Sequence, residues 1–218
     1  VLTILMNITS IAKIIVAVYI RTLFPFVSGM QKRKLWRGSL VGKSHLNMPK
    51  ISVVMPVYNT ETFVWEAIES ILNQTFQDFE FIIIDDCSSD NSYGILKTYE
   101  KKDSRIQLYQ NAVNQWISYT RNRLIILAST NLIASQDSDD LSEPHRLEKE
   151  YLFLTNHSEY WVVSGNNTII DEEWRVIGYR KYSDDIQSII LKKSPISQPS
   201  SMFRKDAFLK LGWYDKDL

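Results

Sequence analysis

Cysteine, glycine and proline are scarce in this sequence of 218 residues, which contains one, seven and six of them respectively. The single cysteine, Cys87, excludes an internal disulfide and so gives no sign of an oxidising compartment. Few glycines and prolines, together with a hydrophobic fraction of 44%, exclude a low-complexity or disordered chain. The three histidines lack the spacing of metal ligands. We expect one globular domain plus an extension, and no nucleic-acid partner.

Acidic residues are absent from the first 50 residues, which contain eight lysines and arginines. The rest of the chain holds 17 basic and 25 acidic residues, a net charge of −8. Such asymmetry indicates two segments with different roles. The chain is therefore divided here into an N-terminal extension, residues 1–48, and a main domain, residues 49–218.

The N-terminal extension begins with 27 mostly apolar residues that Asn7, Lys13 and Arg21 interrupt. Their longest apolar run, residues 14–20, is far shorter than the ~20 residues of a membrane span. A basic stretch, QKRKLWRGSLVGK, follows and would favour an anionic leaflet. These features predict an interfacial helix that holds the chain at the cytoplasmic face of a membrane. The alternative is an ordinary helix packed on the domain.

The main domain alternates apolar strand-like runs with amphipathic helical patterns. Strands are predicted at residues 51–55, 80–84, 106–110, 132–136, 161–164, 168–179 and 198–203, and helices at residues 60–76, 92–102, 118–128, 143–155 and 184–193. Alternation of this kind predicts an α/β fold in which helices flank both faces of a mostly parallel sheet.

Polar clusters follow three of the predicted strands: Pro56-Val57-Tyr58-Asn59, then Asp85-Asp86-Cys87-Ser88-Ser89-Asp90, and finally Asp137-Ser138-Asp139-Asp140. In open α/β sheets ligands bind outside the carboxyl ends of the strands, so these clusters are expected to converge. Three carboxylates within four residues repel one another unless a cation neutralises them. Oxygen ligands suit Mg²⁺ or Mn²⁺ bound together with substrate phosphates. The alternative for the last cluster is a solvated acidic turn or a helix N-cap.

Five segments occur in the order and spacing typical of one enzyme family: PKISVVMPVYN, AIESILNQTFQDFEFIIIDDCSSDNS, QDSDD followed by PHRLEKE, SQPSSMFRK and LGWYD. Through them, residues 49–218 resemble family 2 glycosyltransferases. The resemblance implies a GT-A (Rossmann-like) fold and an inverting transfer of a sugar from a nucleotide diphosphate donor. It implies a UDP-sugar as the default donor, and a glycan or lipid-linked acceptor, as in polysaccharide biosynthesis.

The resemblance also implies roles for individual residues. It assigns donor binding to Pro56, Val57, Tyr58, Asn59, Asp86, Arg121, Asp137 and Asp139. Within this set, Asp86 would hold the base and Arg121 would contact the donor. Asp139 and Asp140 would hold Mn²⁺ or Mg²⁺ and, through it, the diphosphate. The family's catalytic base lies beyond the segment that ends at Leu218, so no catalytic residue is predicted.

Some positions depart from the family pattern. Members commonly carry glycine at the positions of Cys87, Trp116, Leu124 and Thr130, and often histidine at the position of Gln198. Bulky side chains at residues 116 and 124 replace glycines where the backbone usually turns tightly or packs closely. We therefore expect an altered loop around residues 114–124, which includes Arg121. One alternative is therefore a drifted or truncated donor-binding remnant without transferase activity. A sugar nucleotidyltransferase is disfavoured, because MPVYNTETF lacks the glycine-rich phosphate loop that such enzymes need after the first strand.

Overall fold

The computed structural model describes residues 2–5, 48–171, 175–182 and 196–214. Its strands are β1 (Leu2–Leu5), β2 (Ile51–Val57), β3 (Phe79–Asp85), β4 (Ile106–Gln110), β5 (Leu132–Ser135), β6 (Val162–Gly165), β7 (Asn167–Ile170), β8 (Val176–Arg180) and β9 (Ser201–Arg204). Its helices are α1 (Val64–Leu72), α2 (Ser92–Lys102), α3 (Trp116–Leu127), α4 (Arg146–Asn156) and α5 (Lys205–Leu211). Strands and helices alternate from β2 to α4, as the sequence pattern predicts.

One sheet of seven strands, in the order β1-β6-β9-β5-β2-β3-β4, forms the centre of the domain. β2 pairs in parallel with both β3 and β5, and β3 pairs in parallel with β4. β9 runs antiparallel between β5 and β6, and β1 is antiparallel to β6 at the edge. Five of the seven strands therefore point the same way, which confirms the predicted mostly parallel sheet. β7 and β8 form a separate antiparallel hairpin.

The central parallel strands β2, β3 and β5 are buried on both faces, which is why they appear in the sequence as mostly apolar runs. Every residue of β2 and β3 is buried. Alternate side chains of β2 point to opposite faces. Ile51, Val53 and Met55 pack with α1, α2 and α4, whereas Val54 packs with α3 on the other side. Leu124 of α3 is fully buried in this second core, which absorbs the bulk that replaces the family's usual glycine.

Several predicted elements have different boundaries in the structure. α1 begins at Val64 rather than at residue 60, because residues 61–63 form a turn before the helix. Thr60 is held outside the helix by Ser92, which accepts from its N–H, and by Ser138, which accepts from its hydroxyl. α4 begins three residues later than predicted, because the Gln74 side-chain amide, just after α1, donates to the Glu143 carbonyl and holds it in a turn. The predicted strand at 168–179 is the β7–β8 hairpin. The predicted helix at 184–193 lies outside the described residues.

The start of the N-terminal extension contradicts the helix expected there. Leu2–Leu5 form strand β1, which pairs with β6 opposite Gly165 and Val163. Without β1, β6 would be an edge strand with unpaired backbone groups, and β1 satisfies them. The helical expectation is therefore wrong for these four residues, and nearly all the rest of residues 1–48 lies outside the described part. No helix among the described residues is long and apolar enough to cross a membrane.

Candidate functional site

The three polar clusters meet at the carboxyl edge of the sheet, where hydrogen bonds join them. The Asp86 backbone N–H donates to the Val57 carbonyl over 2.8 Å and links the ends of β2 and β3. The Thr60 hydroxyl donates to the Ser138 hydroxyl over 3.1 Å. This second bond links the end of β2 to residues 137–140, which we call the acidic loop. The structure thus brings together clusters that helices separate in the sequence.

The first cluster is divided between the strand and the surface. Pro56 and Val57 belong to β2 and are buried, whereas Tyr58 is 48% exposed. Asn59 adopts a left-handed backbone with a φ of 52°, which asparagine tolerates better than most residues. Its side-chain oxygen accepts a 2.8 Å hydrogen bond from the Ser89 N–H, which ties this cluster to the next. Tyr58 and Asn59 therefore form the exposed half.

Asp86 is only 4% exposed, and one oxygen of its carboxylate accepts hydrogen bonds from the protein itself. Oδ1 accepts hydrogen bonds from Asn111 Nδ2 at 2.6 Å and from the Gln115 backbone N–H at 2.9 Å. Asp86 therefore fixes the loop that leads into α3, and its Oδ2 accepts no hydrogen bond from the residues that the structure describes. Sequence patterns single out neither Asn111 nor Gln115, because their shared partner lies 25 or more residues away.

The acidic loop carries three carboxylates in different environments. Asp137 is paired with Arg121, whose Nη2 lies 2.9 Å from Oδ1. Asp139 is exposed and Asp140 is partly buried, and neither carboxylate accepts a hydrogen bond within the described part of the chain. Burial, followed by repulsion from Asp139 and Asp137, raises the pKa of Asp140 to about 6, although Arg146 opposes the shift. Negative charge is therefore in excess at this end of β5.

The donor set of the acidic loop fits a divalent cation that is shared with a ligand. Carboxylate oxygens are the ligands that Mg²⁺ and Mn²⁺ prefer, and a cation would relieve the repulsion that raises the pKa of Asp140. Within the described ranges, three or more His, Cys, Asp or Glu side chains do not converge in a metal-ligating arrangement. A Mg²⁺ ion does not need such a cluster, because one or two carboxylates and substrate phosphates usually complete its coordination.

A buried network beneath the acidic loop holds it in place. Gln136 Nε2 donates to the carbonyls of Asp137 and Asp140, at 3.0 and 2.6 Å. Arg146 Nη1 donates to Gln136 Oε1 at 3.0 Å, while its Nε lies 3.3 Å from the Glu150 carboxylate. Burial raises the pKa of Glu150 to about 7, although Arg146 opposes the shift. The signal for this network in the sequence is an arginine and a glutamate four residues apart within PHRLEKE, which alone predicts only a surface pair.

The arginine expected to contact the donor lies at the site. Besides its pair with Asp137, Arg121 donates from Nη1 to Gln198 Oε1 at 3.1 Å. Gln198 Nε2 in turn donates to the hydroxyl of Tyr214. The structure therefore adds Gln198 and Tyr214 to the site. In the sequence, the first is marked only as a departure from histidine and the second only as part of LGWYD.

Two positions where the family commonly has glycine carry a strained backbone. Cys87 has a φ of 63° and Trp116 a φ of 66°, in the left-handed region that favours glycine. Both adjoin the Asp86 carboxylate, since Cys87 follows Asp86 and Trp116 follows the residue whose N–H binds Oδ1. Thr130, by contrast, has no positive φ. Trp116 is 76% exposed, so its side chain fits without displacing the loop. The cost of replacing glycine at this position is therefore the free energy of the left-handed backbone.

The sequence comparison decides the family. Residues 52–212 match Glycosyl transferase family 2, which covers more than half of the chain. The chain belongs to this family. EpsE of Bacillus subtilis strain 168, which carries a glycosyltransferase assignment, is 39% identical over 168 residues, covering 76% of this chain and 60% of that protein.

Two further relatives of the family 2 chain have names that specify a polymer. The O-antigen biosynthesis glycosyltransferase WbnJ of Escherichia coli is 36% identical over 169 residues, covering 75% of this chain and 65% of that protein. TuaG of Bacillus subtilis strain 168, assigned to teichuronic acid biosynthesis, is 30% identical over 149 residues, covering 66% of this chain and 59% of that protein. The chain spans less than two thirds of the length of each of these relatives.

Solved structures confirm the GT-A fold. S. aureus TarS in complex with UDP-GlcNAc aligns with a TM-score of 0.56 at 24% identity, over 73% of this chain and 46% of that chain. The mannosyltransferase PcManGT from Pyrobaculum calidifontis, in complex with GDP-Man and Mn²⁺, gives a TM-score of 0.57 at 14% identity, over 94% of this chain and 56% of that chain. At these identities the likeness establishes the fold alone, and the donors and the metal are those proteins' own.

Proposed function

We propose that this chain is the donor-binding part of an inverting glycosyltransferase that takes a sugar from a nucleotide diphosphate, by default a UDP-sugar. The observation that carries the proposal is the meeting of Asp86, Arg121 and the acidic loop at one edge of the sheet. A nucleotide diphosphate combines a base with hydrogen-bond donors and a chain of negative charge. At this edge, the fixed Asp86 carboxylate can accept hydrogen bonds from the base. The Arg121 guanidinium and the candidate cation site of the acidic loop can bind the negatively charged diphosphate.

The Asp86 side of the site would bind the base and ribose. Hydrogen bonds to Oδ1 fix the carboxylate, so Oδ2 would be presented in one orientation to an N–H of the base. Tyr58 follows the residue whose carbonyl binds Asp86, and its half-exposed ring offers a face on which a base can stack. Asn59 and the backbone of Pro56 and Val57 would complete this wall.

The acidic loop would bind the diphosphate through Mn²⁺ or Mg²⁺. Asp139 and Asp140 would hold the ion, while Asp137 stays paired with Arg121. Three carboxylates and one guanidinium leave two negative charges, which one divalent cation balances. When bound, the metal supplies positive charge that stabilises the diphosphate leaving group. Arg121 lies on the same side of the site and would add charged donors to the diphosphate.

The acceptor is proposed to be a glycan or lipid-linked molecule of polysaccharide biosynthesis. The names of WbnJ and TuaG, for O-antigen and teichuronic acid biosynthesis, support this class of acceptor. Inverting transfer rests on family membership. None of the described side chains is assigned as the catalytic base.

We also propose that the N-terminal extension brings the domain to the cytoplasmic face of a membrane. Each basic residue held near anionic lipid contributes about 1 kcal/mol, and the first 50 residues contain eight of them and no acidic residue. Replacing Lys32, Arg33, Lys34 and Arg37 together by glutamine leaves β1 in place and should abolish co-sedimentation with anionic liposomes at low salt. Unchanged co-sedimentation of this variant would contradict the proposal, as would an unaltered chain that stays in the supernatant.

Calorimetric titration with UDP tests the donor site directly. The unaltered chain should bind UDP about tenfold or more tightly with Mn²⁺ than with EDTA. Asp139→Asn should remove this gain, whereas Asp78→Asn, which makes the same charge change just before β3 at the opposite edge, should retain it. Absence of UDP binding in both conditions would refute the UDP-sugar donor, and GDP titrated in parallel would then test the base. Equal UDP affinity in both conditions would refute the metal.

A further inference from the structure

Two neighbouring residues of α3 connect different parts of the chain. Arg121 is paired with Asp137 of the acidic loop, with Nη2 and Oδ1 2.9 Å apart. Asn122 is buried and holds the backbone of Tyr214. Its Nδ2 donates to the Tyr214 carbonyl at 2.7 Å, and the Tyr214 N–H donates to its Oδ1 at 2.9 Å. The segment that follows α5 is therefore fastened to the helix that carries Arg121.

Gln198 completes a connection between Tyr214 and Arg121. Its Oε1 accepts a hydrogen bond from Arg121 Nη1 at 3.1 Å, and its Nε2 donates to the Tyr214 hydroxyl. A guanidinium has only donors, so it fixes which end of the Gln198 amide faces it and leaves the amide NH₂ for the tyrosine. Burial raises the pKa of Tyr214 to about 12, opposed by Arg121 and reinforced by Asp137, so the hydroxyl stays neutral. A continuous chain of hydrogen bonds thus runs from Tyr214 to Asp137.

These contacts fix the plane of the Arg121 guanidinium. One of its Nη atoms donates to Asp137 and the other to Gln198, and two such bonds define the orientation of a planar group. Its Nε is buried and has no hydrogen-bond partner among the residues described. A buried charged donor without a partner is costly, and a ligand does not reach it there. Each Nη atom carries a second N–H, and the side chain is 19% exposed, so these groups remain for the oxygens of a diphosphate, which arginine binds with two donors at once.

We propose that Gln198 and Tyr214 are positioning residues of the donor site, which hold Arg121 so that its remaining N–H groups meet the diphosphate. The inference rests on the proposed nucleotide diphosphate donor. A freely rotating arginine would lose conformational entropy on binding, and fixing it beforehand removes that cost. Since the guanidinium acts on the diphosphate, removing either positioning side chain weakens the binding of the diphosphate and leaves the binding of the nucleoside unchanged.

Calorimetry with UDP, and with uridine by displacement, separates these two contributions. Gln198→Leu should weaken UDP binding about tenfold and Tyr214→Phe about threefold, because the first removes a hydrogen bond to a charged group and the second removes the bond behind it. Uridine affinity should change less than about twofold in both variants. Tyr99→Phe is the matched control, because its hydroxyl also donates a 2.8 Å hydrogen bond, to Glu69, but on α2.

Three results would overturn the inference. Equal losses of UDP and uridine affinity in Gln198→Leu and Tyr214→Phe would show that both side chains only support the fold. UDP affinity equal to that of the unaltered chain in both variants would show that Arg121 needs no positioning. An unaltered chain that binds no UDP would overturn the proposed donor first, and the inference with it. Thermal melting shows which variants are folded, and either variant alone suffices for the comparison.

Discussion

Two acid-rich segments, residues 85–90 and the acidic loop, lie at the same edge of the sheet, and their carboxylates are in opposite environments. In the Asp86 cluster, residues 85–90, the protein itself engages one oxygen of Asp85 and one of Asp86, each of which accepts two hydrogen bonds. Burial acts to raise the pKa of Asp90, but bonds from Ser92 and the Glu61 backbone outweigh it and lower that pKa. In the acidic loop, repulsion among carboxylates helps burial to raise the pKa of Asp140. The first segment is held by the protein's own hydrogen-bond donors, whereas the second keeps an excess of negative charge that a cation would balance.

The backbone shows the reverse distribution of strain. Cys87 belongs to the Asp86 cluster and has a positive φ, and so does Trp116, in the loop that the Asp86 carboxylate holds. No residue of the acidic loop has a positive φ. One segment therefore keeps its shape at the cost of backbone strain and the other at the cost of charge repulsion. Strained backbone of this kind persists where the surrounding contacts enforce it, and the bonds to Asp86 are such contacts.

The largest expected effect comes from removing the positive charge of Arg146, which lies in the buried network beneath the acidic loop. Arg146→Met deletes the hydrogen bond to Gln136 and leaves Glu150 buried without a charged partner, so we expect the free energy of unfolding to fall by about 3–5 kcal/mol. Urea unfolding at about pH 8 measures it. Lys97→Met, which breaks a solvent-exposed pair with Glu100, is the control and should leave the free energy of unfolding nearly unchanged.

The same variant has a pH signature. Burial raises the pKa of Glu150 to about 7 even with Arg146 present, so without the arginine the carboxyl is protonated at about pH 5 and its buried charge disappears. The loss caused by Arg146→Met should therefore be smaller at about pH 5 than at about pH 8. A loss of equal size at both values would mean that lost packing, and not the uncompensated charge, accounts for the effect.

The second prediction compares the two segments directly, in the absence of ligand. Asp86→Ala leaves the Asn111 amide and the Gln115 N–H without their acceptor, so it should lower the free energy of unfolding by about 1–3 kcal/mol. Asp139→Ala removes an exposed carboxylate that bonds to none of the described residues and should change stability by less than about 0.5 kcal/mol. Thermal unfolding of the two variants side by side measures the difference. Equal losses would remove the distinction between the segments.

The parts of this fold that could be predicted from the sequence have local signals. β2 and β3 are continuous apolar runs that end in polar residues, and parallel strands place such ends on one edge. The acidic loop and Asp86 follow from that pattern. β1 contradicts its local signal, because the open edge of β6, far along the chain, decides the conformation of the mostly apolar residues Leu2–Leu5.

The contacts within the site depend on residues far apart in the sequence, and for that reason they could not be predicted. Gln198 lies 77 residues from Arg121, and Tyr214 lies 92 residues from Asn122. These residues meet because β9 pairs antiparallel with β5. Strands of four residues give too weak a sequence signal to predict such a pairing. The role of Asp86 in holding the loop before α3 could not be predicted either, because a carboxylate at a strand end has the same sequence pattern whether it binds a ligand or the protein.

The third prediction tests the charge of Asp140, which both burial and repulsion within the acidic loop disfavour. The pKa of Asp140 in the folded chain, about 6, lies above the ordinary value of 3.8, so folding favours the protonated form. Stability is therefore lost as pH rises from about 4 to about 6, and the loss is complete above that range. Because the group is partly exposed, we expect Asp140→Asn to stabilise the chain in EDTA by about 1 kcal/mol at about pH 8, and by nothing at about pH 4.

Thermal melting at the two pH values, with Asp139→Asn as the exposed neighbour for comparison, measures this gain. Asp139→Asn also removes one of the charges that repel Asp140, so it should give a smaller gain of the same sign. A stabilisation of Asp140→Asn that is independent of pH would show that the charge of Asp140 is not its source.

The smallest expected effect tests the backbone strain of the loop that the Asp86 carboxylate holds. Trp116→Gly relieves a left-handed backbone that costs a side chain about 1–2 kcal/mol, and gives back about 0.5–1 kcal/mol through the freer unfolded chain. The net stabilisation should be about 0.5–1 kcal/mol, because a side chain that is 76% exposed contributes little burial that could be lost. Asn59→Gly is the control: asparagine already tolerates its φ of 52°, and its side chain bonds to Ser89, so this variant should gain nothing. Urea unfolding measures both. Destabilisation by Trp116→Gly would mean that the tryptophan makes contacts that outweigh its backbone strain, and would contradict the cost assigned to this position.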